Sequence, residues 1–202
     1  VIYIYFYNIL FHIIYQVYFI EVTIRVLSKN IFPHTIKKKE FFMLAPHFIQ
    51  LLTSSRPAAI TRIQGDTVSP VRGLATFYNT SAGGVLVQVE VFHLPDQNTP
   101  EASGFFGMHI HENGNCTPPF DQSGSHYNPT SQQHPFHDGD LPPLLSNRGY
   151  AWTAFYDTRF GISDIVGRSL IIHENRDDFT TQPAGDSGKK IACGVISVYV
   201  GR

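Results

Sequence analysis

Apolar and polar positions alternate along residues 84–92 (GVLVQVEVF), with Val85, Val87, Val89 and Val91 on one side and Leu86, Gln88, Glu90 and Phe92 on the other. A period of two predicts a half-buried antiparallel strand. The run 74–80 (LATFYNT) reaches it through Ser81-Ala82-Gly83, which predicts a hairpin-type connection with glycine at the turn. Further strands are predicted over 58–64, 104–112, 150–156, 168–174 and 193–200. No amphipathic helix of about ten or more residues is expected after Met43. Many short strands divided by Gly and Pro read as an all-β sandwich or barrel. Two stretches are too long for tight turns: 113–149, with Pro118-Pro119, Pro129, Pro135 and Pro142-Pro143, and 175–191, with Pro183, Gly185 and Gly188. Long ordered loops on a β scaffold usually carry function.

The pattern breaks near residue 43. Residues 1–20 carry no charge, close to the ~20 apolar residues that a membrane span needs. Arg25, Lys29 and Lys37-Lys38-Lys39 follow, which would orient an anchor with its N-terminus out. Residues 1–42 also lack Gly and Ala, and the first methionine is Met43. The stretch reads first as upstream sequence translated ahead of a start at Met43, second as a membrane anchor, third as a structural extension. A cleavable secretory signal fits poorly, because no basic residue precedes the apolar run and no small-residue cleavage site follows it. The expected organisation is a non-core extension 1–42, a short lead-in 43–57 and one folded domain 58–202.

Charge narrows the partners. With 15 Lys+Arg against 16 Asp+Glu there is no basic excess, so nucleic acid is not expected. A membrane enters only if residues 1–42 are native. The informative residues are the ten histidines, six of which fall between His109 and His173. His109 and His111 are two apart on a predicted strand, so both imidazoles leave the same face. His126, His134, His137 and Asp140 follow, and His173 closes a later strand. Imidazole suits copper and zinc, and three imidazoles with a carboxylate suit four-coordinate zinc. His12, His34, His47 and His93 fit no ligand slot and are expected to have surface or packing roles.

Five strings in order, GFFGMHIHENGNC (104–116), GSHYNP (124–129), HPFHDGDLP (134–142), GRSLIIHENRDD (167–178) and AGDSGKKIACGVI (184–196), resemble the copper/zinc superoxide dismutase family over about residues 58–200. The β-sandwich fold and electrostatic steering of that family are established. The resemblance implies a Greek-key β-barrel or sandwich of about eight antiparallel strands with two long functional loops. It implies one copper and one zinc ion per chain and disproportionation of superoxide to dioxygen and hydrogen peroxide. His109, His111, His126 and His173 resemble the copper ligands, and His126, His134, His137 and Asp140 the zinc ligands, with His126 bridging as the positioned acid. Asp177 matches the carboxylate that links a copper-ligand histidine to a zinc-ligand histidine. Cys116 and Cys193 match the family's intrasubunit disulfide.

The family places an arginine three residues before the second cysteine, where this chain has Lys190. Lysine keeps the charge but loses the planar fork of donors, so steering of the superoxide anion should survive with some loss of rate. Lys189 is adjacent. Two other readings compete. A copper-binding or copper-delivery module of the same fold would often lack copper ligands, yet all four are present. A zinc hydrolase would want an open zinc position, yet four protein ligands fill this one. A cytoplasmic enzyme starting at Met43 is preferred to an anchored or exported one, although a disulfide leans towards an oxidising compartment. Dimer and monomer both stay open.

Overall fold

A computed structural model of the protein describes residues 44–95 and 104–201. The extension 1–42, with His12, His34 and the anchor reading, lies outside the described residues. Among those described, no helix is long and apolar enough to cross a membrane.

The alternating segments form strands where the period of two places them. They are β1 (Ala59–Gly65), β2 (Arg72–Asn79), β3 (Val85–Phe92), β4 (Phe105–Phe106), β5 (Met108–His111), β6 (Leu144–Leu145), β7 (Ala151–Asp157), β8 (Ser169–His173), β9 (Lys190–Val195) and β10 (Ser197–Val198). One antiparallel sheet runs in the order β5-β8-β9-β1-β2-β3-β7, with β10 also paired to β1. β1, β2 and β3 are a meander, after which the chain crosses to the far edge for β5 and returns to the near edge for β7. That is the Greek-key order, and the fold is all-β.

Val85, Val87, Val89 and Val91 of β3 are fully buried, as their alternation requires. They join Ile63, Ala75, Phe77, Met108, Ile110, Leu170, Ile172 and Ala192 in one core. Each of these side chains other than the two alanines stabilises the fold by about 1.5–3 kcal/mol on burial. The β2–β3 connection, residues 80–84, turns on Gly83 and Gly84, both at positive φ, where glycine pays no steric penalty.

Two features depart from the sequence expectation. The long loop 113–149 contains β6, which pairs with β4 and buries Leu144 against the core. β4 leads into β5 at one sheet edge and β6 precedes β7 at the other, so this ladder draws the two edges together. At two residues it is too short to show a period. Second, the expectation of no helix of about ten or more residues after Met43 is wrong: α1 spans Leu44–Ser54. Pro46 sits in its first turn, where no intrahelical N–H bond is lost. Phe48 packs on Tyr156 with ring centroids 5.1 Å apart, and His47 Nε2 lies 3.3 Å from Ser81 Oγ. Tertiary packing on the β2–β3 turn and β7 therefore sustains a helix that has no N-cap signature of its own. A single turn, α2 (Ile162–Ile165), adds Ile165 to the core.

Candidate metal centre

Half of the centre is built on strands. In β5, Met108 and Ile110 point into the core, so His109 and His111 leave by the opposite face. All four are buried, because the long loops cover that outer face. His173 ends β8 beside a bulge: Ile172 pairs with Ala192, but His173 pairs with Lys190, and Ile191 is skipped. The bulge turns Ile191 towards the core and leaves Lys190 on the outer face next to His173.

The other half is built on the loop. His126 pairs with the backbone of His111, and Asp140 with that of His109, which fastens the loop to the β5 edge. His126, His134, His137 and Asp140 are all buried. Asp140 Oδ1 accepts a hydrogen bond from His126 Nδ1 at 2.7 Å, and Oδ2 accepts one from the His137 backbone N–H at 3.0 Å. Asp177, from the second long loop, joins the halves. Its Oδ2 accepts from His109 Nε2 at 2.7 Å and its Oδ1 from His134 Nε2 at 2.8 Å. Gly185, at positive φ, lies so close that a Cβ would fall 2.0 Å from Asp177 Oδ1. Gln182 brackets His134 by accepting from its N–H and donating to its carbonyl, at 3.0 and 2.7 Å.

These partners fix which nitrogen of each ring is free. His111 Nδ1 donates to Gly124 O at 2.9 Å, and His173 Nδ1 to Gly188 O at 3.2 Å, so both turn their Nε2 lone pairs inward. Those two Nε2 atoms lie 3.3 Å apart. Two lone pairs facing at that distance repel unless a cation lies between them. His109 Nδ1, His126 Nε2, His134 Nδ1 and His137 Nδ1 are buried with no hydrogen-bond partner. Asp140 Oδ2 is 3.1 Å from His134 Nδ1 and 3.2 Å from His137 Nδ1, but at angles that form no hydrogen bond. Leaving such atoms unsatisfied is costly, whereas metal coordination would satisfy them. One ligand atom each from His109, His111, His126 and His173 lies within 4.8 Å of the others, and the same holds for His126, His134, His137 and Asp140. The two sets share His126, and their donors suit copper and zinc.

Electrostatics keeps the donors ready. Burial, reinforced by the neighbouring His126, holds His109 and His111 well below the ordinary imidazole range. Burial also lowers His173 to about 4, against the opposing Gly188 hydrogen bond. Burial opposes ionisation of Asp140, but the His126 hydrogen bond and the surrounding imidazoles outweigh it and hold the carboxyl below its usual range. Neutral imidazoles and an ionised carboxylate are the forms that bind metal.

Beside the histidines, Cys116 and Cys193 are disulfide bonded across a sequence separation of 77. In the loop-entropy picture the bridge stabilises the fold by roughly 4 kcal/mol. It pins the start of the long loop to β9, where it packs with Phe120 and Ile171. The Lys190 ammonium donates to Ser123 Oγ at 2.8 Å, Gly124 O at 3.0 Å and Phe120 O at 3.4 Å. Burial lowers its pKa from the ordinary lysine value. All three of its protons therefore go to the loop, and one shares the carbonyl that orients His111. Lys189 is exposed, as is His93.

All the candidate residues thus meet around one pair of sites. Sequence reasoning missed Arg159, Ser123, Gln182 and Gly185. Gly185 was visible only as a loop glycine, and the other three are ordinary polar residues whose partners lie far away in the chain.

The sequence pattern of the copper/zinc superoxide dismutase family matches residues 71–196. The chain is 35% identical over 153 residues to a superoxide dismutase [Cu-Zn] of Deinococcus radiodurans, covering 65% of this chain and 80% of that protein. It is 28% identical over 157 residues to the copper chaperone for superoxide dismutase of Rattus norvegicus, covering 71% of this chain and 54% of that protein. Among solved structures, the clock protein EA4 is similar with a TM-score of 0.61 at 30% identity, covering 71% of this chain and 96% of that one.

Proposed function

The chain belongs to the copper/zinc superoxide dismutase family, and from that premise we propose that it is an active dismutase, converting two superoxide anions and two protons into dioxygen and hydrogen peroxide. We assign His109, His111, His126 and His173 to copper, and His126, His134, His137 and Asp140 to zinc. Copper held there would supply the one-electron chemistry that oxidises one superoxide and reduces the next. The single observation that carries the reading is the completeness of the four-histidine set, with its inward nitrogens lacking other partners.

The chain's own residues then have distinct tasks. His126 Nδ1 lies 2.7 Å from Asp140 Oδ1; with both residues in the set assigned to zinc, that nitrogen would give up its proton to act as a donor, while Nε2, which has no other partner, takes up a proton and passes it to the reduced oxygen species. Asp177 fixes the ring orientation of one histidine from each set. Lys190 contributes positive charge beside His111 and His173. Because its protons are committed to the loop, it acts on the anion through its field rather than through a hydrogen bond. The alternative, a copper-delivery module, draws on the chaperone relative, but it does not need a complete site.

The test is dismutation by the full chain loaded with copper and zinc, beside His126→Ala. Activity in the native sequence, lost by several orders of magnitude in the variant, supports the enzyme. One copper and one zinc bound per chain without turnover would support the delivery module instead.

A further inference from the structure

Arg159 lies in none of the motifs that mark the metal centre, and no ligand set includes it. It follows the end of β7, where Asp157 accepts hydrogen bonds from the Arg159 backbone N–H at 2.8 Å and from its Nε at 3.1 Å, both on Oδ1. Asp157 Oδ2 accepts from Nη2 at 2.6 Å. Asp157 is buried, and about a third of the Arg159 side chain is exposed. This bidentate grip folds the guanidinium back along the strand and sets its plane. The opposite edge of the fork then reaches the metal loop: Nη1 donates to His137 O at 3.0 Å, and Nη2 donates to Asp140 O.

The two carbonyls belong to residues three apart in one turn, which is closed by an Asp140 N–H bond to His137 O at 3.1 Å. Both residues lie in the set assigned to zinc. The turn meets the β5 edge at its Gly139–Asp140 end, where the Ile110 N–H bonds to Gly139 O at 2.9 Å and Asp140 bridges to His109, so the spacing to His137 depends on what else holds it. A planar donor fork spans two carbonyls at a fixed separation. An ammonium, as a point charge, does not.

We propose that Arg159, braced by Asp157, is a positioning residue for the zinc half of the centre: by gripping the His137 and Asp140 carbonyls it sets the spacing of those two ligands and thereby the affinity for zinc. The inference rests on the zinc assignment made above. Outer partners that orient ligands commonly govern 10–100-fold in metal affinity. The Asp140 backbone also pairs with His109, so the same grip braces the loop where it meets β5.

The test uses the full metal-free chain, its Arg159→Met, Arg159→Lys and Asp157→Asn variants, and zinc titration against a chromophoric chelator. Cobalt(II) in the zinc position gives visible bands that report ligand geometry. In Arg159→Met the zinc dissociation constant is expected to rise about 10–100-fold, with shifted or weakened cobalt bands and copper affinity changed by less than about threefold. Asp157→Asn and Arg159→Lys should shift in the same direction by less, and they carry the test if the methionine variant does not fold. A purely structural role would lower the melting temperature of every variant while leaving zinc affinity and cobalt bands as in the native chain. That result overturns the proposal alone. Failure of the native chain itself to bind zinc, or to give four-coordinate cobalt bands, would overturn the metal assignment and this proposal with it.

Discussion

The two halves of the candidate metal centre present mostly imidazole donors and are held in different ways. His109, His111 and His173 stand on β5 and β8, where ladder hydrogen bonds to neighbouring strands and a core face of Met108, Ile110, Leu170 and Ile172 fix the backbone. His134, His137 and Asp140 stand on a loop; apart from the backbone bridge of Asp140 to the β5 edge, what fixes them is side chains reaching in from elsewhere: Asp177 and Gln182 on His134, Arg159 on His137 and Asp140. A strand places a ligand as a consequence of the fold. A propped loop places one only while its props stay. His126 belongs to both sets and is held by Asp140 on one side and by the β5 edge on the other.

Acid is expected to act strongly on the strand half. His173 is lowered to about 4, and His109 and His111 are also well below the ordinary imidazole value, all on the strand side. The unfolded chain therefore binds more protons than the metal-free folded chain between pH 6.5 and about 4. Stability should be fully present above about 6.5 and be lost as pH falls through that window. His173 alone accounts for about 3 kcal/mol. Asp140, whose carboxyl is held below its usual range, adds a loss only at lower pH. Denaturant unfolding of the metal-free chain at a series of pH values checks both the sign and the window. Stability that is flat between pH 7 and 4 would show that the strand histidines are not buried neutral.

A smaller effect sharpens the contrast, because Asp177 touches one histidine of each half. Asp177→Asn should weaken zinc binding about 10–100-fold, since His134 loses a prop that its loop needs. Copper affinity should fall by less than about tenfold, because β5 still places His109. Competition titrations of each metal measure the two constants in the same variant. Equal losses for both metals would erase the distinction.

The strand half was the more legible in sequence for the same reason. The alternation in MHIH shows which side chains share a face, and that is enough to bring His109 and His111 together. The loop half carries no period. His134, His137 and Asp140 were found through residue type and family resemblance, while Arg159 and Gln182 could not be found, because their partners are distant main-chain atoms that no spacing encodes. The β4–β6 ladder and α1 escaped on similar grounds. One is too short for a pattern, and the other depends on packing against Tyr156 and Ser81.

The claim that one half is set by the fold and the other by its props is tested most directly by native-state hydrogen exchange on the metal-free chain. The β5 and β8 amides that bond across the sheet should be among the most protected. The Phe136 and Asp140 amides, which close turns within the loop, should exchange at least about 100-fold faster, and zinc should slow them selectively. Equal protection in both regions before zinc is added would contradict the account.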